Sequence, residues 1–337
     1  MGRYNRDMKR ITLIALALAV AMAGCDKPQT LPSRSTAAAV ERSSWETPFG
    51  PGTLYTTAHY HIYSTVTRPA LMAVAPGFME AAHDYYSKLT NLDALPHEAA
   101  APQDERAPIY LVSTRGQWAH LTSQLVKQNL QVYLCIEAGG FCYRDKCVFW
   151  DVGGLETLRL AAHEGLHQYF GRHNAHLPIW LEEGLCVSAE GFDLQGGDVV
   201  FQPERNLVRA STLRSALVRH DWIGIERLVT MDGGDAVQDP RPGAAVEYYA
   251  QLWALTLYLQ SRPDTHAAVG RIIADCAARK VAPPELTPQD RDAIARDPTG
   301  RMPGKLLARQ IFRKYVSEDF EAFDKGYQAY AMKLAGL

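Results

Sequence analysis

The chain has 337 residues, of which 47% are hydrophobic and 21% charged, a balance that excludes a disordered, collagen-like or coiled-coil protein and allows a sizeable buried core. Its 35 basic and 37 acidic residues give a formal charge of −2, so no basic excess argues for nucleic acid or an anionic lipid surface as a partner.

Residues 1–24 are ordered like an export signal: Arg3, Arg6, Lys9 and Arg10 precede an apolar run, Ile11 to Ala23, too short to span a bilayer comfortably. The run ends in Met22-Ala23-Gly24-Cys25, which resembles the lipobox of bacterial lipoproteins. That resemblance implies cleavage before Cys25, lipidation of Cys25 and anchoring in the bacterial cell envelope facing the periplasm, with inner or outer membrane left open. Residues 25–50 are polar, contain Pro and Ser, and read as a flexible tether. An oxidising compartment permits disulfides, and the closeness of Cys135, Cys142 and Cys147 suggests one bridge among them; Cys186 and Cys276 complete the set.

Folded sequence is expected from about residue 51. Thr53 to Thr65 carries β-branched and aromatic residues in partial alternation, a strand or hairpin pattern. Residues 69–89 read as a helix that Pro76 starts or kinks, and Pro108 to Ser113 as a strand followed by a helix over 115–126. VYLCIEAGG and KCVFWDVG read as further strands, with a hairpin around Phe141 to Lys146. From Leu155 onward the pattern is mostly helical. The fold class is therefore α+β, a strand-rich first half followed by a helical second half, with residues 51–261 as the main domain and 262–337 as a C-terminal helical extension without chemistry of its own.

Leu155 to Phe192 carries the chemistry. It contains His163-Glu164-Gly165-Leu166-His167, an HExxH pattern on a helix whose stripe is Leu155, Leu158, Ala162, Leu166 and Tyr169. Histidines four apart leave one face of a helix a turn apart and can hold one zinc ion, with Glu164 beside it to take a proton from water. Two residues compete as the third ligand. Glu183 lies on a second helix begun by Pro178, and a carboxylate there completes a His-His-Glu set with one open position. His173 sits at the last position of HExxHxxGxxH, but Phe170 stands where that pattern needs a glycine and Gly171 comes one residue late, so the spacing favours Glu183. His176 reads as a loop residue.

HExxH followed by Trp180-Leu181-Glu182-Glu183-Gly184-Leu185 resembles the gluzincin branch of MA-type zinc metallopeptidases, which includes the aminopeptidase N and thermolysin groups. Over about 60% of the chain, through AHYHIYST, CVFWD, WLEEGL and YYAQLWALTLYL, it is similar to a family of exported bacterial proteins related to these peptidases. The resemblance implies one zinc per chain held by His163, His167 and Glu183, Glu164 as general base, and a peptide or protein substrate. It also implies a tyrosine donating to the developing oxyanion, best matched by Tyr249 with Tyr248 as the alternate. The Asp that orients a ligating histidine one turn after the ligand Glu in thermolysin-type enzymes is missing, Cys186 and Val187 standing there instead, which questions how the histidines are oriented. The alternative to a hydrolase is a non-catalytic binding lipoprotein on the same scaffold.

Overall fold

The computed structural model describes residues 39–95, 106–127, 130–136, 139–195, 198–297 and 300–337; the export signal, Cys25 and the tether up to residue 38 lie outside them. The first half is a mixed six-stranded sheet. Its strands are β1 (Glu41–Thr47), β2 (Gly50–Thr56), β3 (Tyr60–Ser64), β4 (Ala107–Val112), β5 (Gly140–Tyr143) and β6 (Lys146–Trp150). The spatial order is β1-β2-β3-β4-β6-β5; β3, β4 and β6 run parallel, and the remaining neighbours are antiparallel.

Helices α1 (Pro69–Thr90), α2 (Arg115–Leu125) and α3 (Leu130–Leu134) are interleaved with the strands, and α4 (Gly154–Arg172) and α5 (Ile179–Ala189) follow them. Alternation along β6 sorts the two faces: Cys147 and Phe149 are buried with residues of α1 and α4, while Val148 and Trp150 are buried with Trp118 and Tyr133 of α2 and α3. A small antiparallel hairpin, β7 (Phe192–Gln195) and β8 (Asp198–Phe201), lays Phe192 against Phe78 and Phe201 against Tyr85 of α1. Then come α6 (Leu207–Val218), α7 (Ile225–Leu228), α8 (Gly233–Gln238), α9 (Ala244–Gln260), α10 (Pro263–Ala277), α11 (Pro288–Arg296), α12 (Met302–Tyr315) and α13 (Phe320–Leu334).

The α+β class and the strands-then-helices order stand as expected. Four details differ. The tether does not run to residue 50, because Glu41–Thr47 pairs with β2 as an edge strand. Pro69, at the first turn, starts α1, and Pro76 is accommodated inside it. Residues 130–134 are helix α3 instead of the start of a strand. Residues 262–337 are no separate extension, since Ile272, Ile273, Phe312 and Tyr327 share one buried cluster with Trp180, Leu255 and Phe78. The expected bridge among Cys135, Cys142 and Cys147 is also not formed; all three are free thiols. Among the described residues no helix is long and apolar enough to cross a membrane.

Candidate metal centre

Helix α4 begins where a chain reversal demands glycine: Gly153 and Gly154 have φ of 118° and 39°. Asp151 and Thr157 fasten this start, with the Val152 and Gly153 amides donating to Thr157 Oγ1 and the Thr157 hydroxyl donating to Asp151 Oδ1 at 3.0 Å. The helix crosses α1 at Gly165, where an added Cβ would lie 2.8 Å from the Tyr86 hydroxyl oxygen; that hydroxyl instead donates to the Ala162 carbonyl at 2.7 Å. A tight turn with Asn174 at φ 52° leads to α5, with Pro178 as its N-cap. Helix α5 also lies close to α9 at Gly184, where an added Cβ would run into the Thr256 hydroxyl and lie 3.0 Å from the Leu252 carbonyl oxygen. The first approach fixes α4 on α1 and the second fixes α5 on α9; α4 and α5 meet through His163, His167 and Glu183.

At that point His163 Nε2 and His167 Nε2 are 3.3 Å apart, and Glu183 Oε2 lies 3.5 Å from the first and 3.7 Å from the second. All three side chains are buried. The remaining ring nitrogens are engaged: His163 Nδ1 contacts Glu190 Oε1 at 3.0 Å, and His167 Nδ1 contacts Glu182 Oε1 at 2.9 Å. Each Nδ1–H given to a carboxylate leaves a lone pair on the corresponding Nε2. Two nitrogen lone pairs and a carboxylate oxygen then face one another in a buried space, an arrangement that repels itself unless a cation lies between them. Four ligands at the usual zinc distances around a tetrahedral ion are separated by about 3.3–3.4 Å, and the observed triangle is close to that. The residues present fit a metal ion.

Two carboxylates, Glu190 and Glu182, thus hold the two histidine rings. Glu190 lies two turns beyond Glu183, on the same helix face, and is itself held by α6: Arg209 donates through Nε and Nη2 at 3.0 Å each, and Asn206 Nδ2 donates at 3.2 Å. Burial alone would raise the Glu190 carboxyl, but Arg209 and His163 outweigh it and hold it at about 2. Burial likewise opposes ionisation of Glu183, yet His167 and His163 bring it down to about 2. Burial would lower His163, but Glu183 and Glu190 raise it. Without a metal, protons serve as the counter-charge that the clustered carboxylates require.

Glu164 is completely buried and neither carboxylate oxygen has a hydrogen-bond partner among the described residues. Burial raises its carboxyl, opposed by His163 and His167; the Cys142 amide of β5 faces it and lowers it slightly without forming a regular hydrogen bond. The two tyrosines of α9 are distinct. Tyr248 donates to the Met231 carbonyl at 3.1 Å, whereas the buried Tyr249 hydroxyl has no partner among the described residues. Burial and the nearby Glu183 push Tyr249 well up, so it stays protonated, and its ring lies 5.7 Å from the Arg209 guanidinium carbon. His173 is elsewhere, with Nε2 on Asp93 Oδ1 at 2.9 Å and Nδ1 on the Tyr169 carbonyl at 2.9 Å.

Cys186 is a donor that the sequence did not single out for the metal. One ring nitrogen each of His163 and His167 and its sulfur lie within 4.8 Å of one another, all buried. Burial pushes its thiol up to about 12 although His167 pulls it down. The signal was available, since Cys186 is one helical turn after Glu183. Glu190 had a signal too, seven residues after Glu183, but its partner Arg209 belongs to another helix. No protein-family model and no curated protein matches the chain.

Proposed function

We propose that the chain is a zinc-dependent hydrolase of the gluzincin type, most simply a peptidase, tethered to the bacterial envelope through a lipid on Cys25. One observation carries the reading: three buried donors, His163 Nε2, His167 Nε2 and Glu183 Oε2, converge with their lone pairs on one point, beside a buried carboxylate, Glu164, that has no hydrogen-bond partner among the described residues. One zinc held there would polarise a carbonyl and acidify water.

The chain's own residues do the rest. Glu190 and Glu182 fix both imidazole rings with Nε2 forward. Glu164, raised by burial, accepts a proton from the attacking water and returns it to the leaving nitrogen. Tyr249, kept protonated, donates to the oxyanion; one such donor lowers a barrier by about 2.7–4 kcal/mol. A peptide substrate fits β5 as the terminal strand of the sheet, with its Cys142 amide near Glu164: a terminal strand can pair with an extended chain by backbone hydrogen bonds.

Metal content and turnover test this together. Purified protein should carry about one zinc per chain, and Glu164→Gln should keep the zinc and lose cleavage of a peptide library. Equal cleavage by the two proteins, or a zinc-free wild type that zinc does not load, defeats the reading. A Cys25→Ala protein that stays membrane-bound would count against the lipid anchor.

A second reading is favoured by Cys186. If its sulfur joins the other three donors, the ion is closed off and the site is structural, as in a non-catalytic binding lipoprotein. Cobalt substitution separates the two readings. A thiolate-to-cobalt charge-transfer band that disappears in Cys186→Ala supports the closed site, and its absence supports the open one.

A further inference from the structure

Cys142 and Cys147 stand directly opposite each other on β5 and β6. Between them Tyr143 and Lys146 flank a two-residue turn in which Arg144 has φ 61°. The pair that closes a two-residue turn exchanges backbone hydrogen bonds, so the next pair, Cys142 and Cys147, occupies a non-hydrogen-bonded position. Such pairs have Cα atoms about 4.5 Å apart, inside the range of about 4.4–6.8 Å that a disulfide spans. Both side chains are on the face packed against α4, where the Cys147 thiol donates to the Glu164 carbonyl at 3.2 Å. Cys142 is partly exposed and Cys147 is fully buried.

We propose that Cys142 and Cys147 are the site of a reversible disulfide across the β5–β6 hairpin. The inference stands independently of the hydrolase reading, because it concerns neither the metal donors nor turnover. The accessible Cys142 thiolate attacks one sulfur of a small disulfide oxidant, such as oxidised glutathione, and releases one thiol. The Cys147 sulfur then attacks the Cys142 sulfur of this mixed disulfide, losing its proton and releasing the second thiol. Two protein thiols and one oxidant disulfide thus become one protein disulfide and two small thiols. The bond encloses only Tyr143 to Lys146, so it restricts the unfolded chain little and adds less stability than a long-range bridge. That makes it a labile bond rather than a structural staple. Its formation removes the sulfhydryl that donates to the Glu164 carbonyl.

The sequence makes the bond directly readable, since trypsin cuts after Arg144 and Lys146 and places Cys142 on peptide 128–144 and Cys147 on peptide 147–159. The folded full-length chain is incubated with oxidised glutathione, its free thiols are alkylated, and the digest is analysed by mass spectrometry. The expected product is the two peptides joined, lost on reduction, retained in Cys135→Ser and absent in Cys142→Ser. The Cys135 control is needed because Cys135 shares the first peptide. Absence of the joined pair in wild type, its persistence in Cys142→Ser, or a glutathione adduct on Cys142 as the end point each overturns the proposal.

Discussion

Two carboxylates hold the two histidines, and their surroundings make their removal unequal. Glu182 keeps 16% of its side chain exposed and touches only His167 in the centre, so Glu182→Ala should weaken zinc binding by about 10–100-fold while the fold survives. Glu190→Ala should do the same to His163 and also strand the buried Arg209, at a further cost of about 3–5 kcal/mol of folding stability. Zinc titration and denaturant unfolding of both proteins check the split; equal stabilities would mean that Arg209 finds another partner. The tyrosines offer the same kind of contrast. Tyr249→Phe should retain zinc and lower kcat by about 10²–10³-fold, whereas Tyr248→Phe loses only a bond to Met231 and should leave kcat near wild type, as steady-state kinetics would show. That His163, Glu164, His167 and Glu183 come together was legible because motif spacing is local. Tyr249 was preferred to Tyr248 in sequence through the resemblance alone; the physical difference, which hydroxyl has a partner among the described residues, is a property of the neighbouring elements.

At the scale of elements, the site depends on how closely α5 approaches α9. Gly184 is the contact, and a methyl there must displace the Thr256 hydroxyl and press on the Leu252 carbonyl. Gly184→Ala should therefore cost about 1–3 kcal/mol and, by pushing α9 away from Glu183, lower kcat more than zinc content. Thermal unfolding and metal analysis of the variant decide it; wild-type stability and kcat would show that α5 and α9 tolerate the added volume. The Gly184 signal was present in WLEEGL, but its reason, a helix crossing, was not. Other elements were misread for physical causes. VYLCI is a short apolar run, which fits a strand or a short helix equally, and its first three residues belong to helix α3. ERSSWET is polar except for Trp45 and pairs as β1 along β2, a nonlocal partner that no window of sequence displays.

For the molecule as a whole, the helices after residue 261 decide whether the centre has a scaffold. Phe312 packs edge-on against Trp180 at 5.6 Å, one turn of α5 from Glu183, and the Tyr327 hydroxyl donates to the Gln251 carbonyl on α9. The amphipathic pattern of this region was readable as helix, but not where its apolar faces would go; they complete the core beneath α5 and α9. Ile272, Ile273, Ile311 and Phe312 are all nearly inaccessible to solvent. At about 1.5–3 kcal/mol for each buried side chain, losing four of them removes about 6–12 kcal/mol, comparable with the whole stability of an ordinary domain, about 5–15 kcal/mol. A chain ending at residue 261 should thus lose cooperative unfolding and its zinc together, even though every proposed ligand is still present. Circular dichroism melts and metal analysis of the shortened protein test this. A shortened chain that melts cooperatively with zinc bound would restore residues 262–337 to the status of an appendage and leave the metal centre supported by the sheet and the helices up to α9.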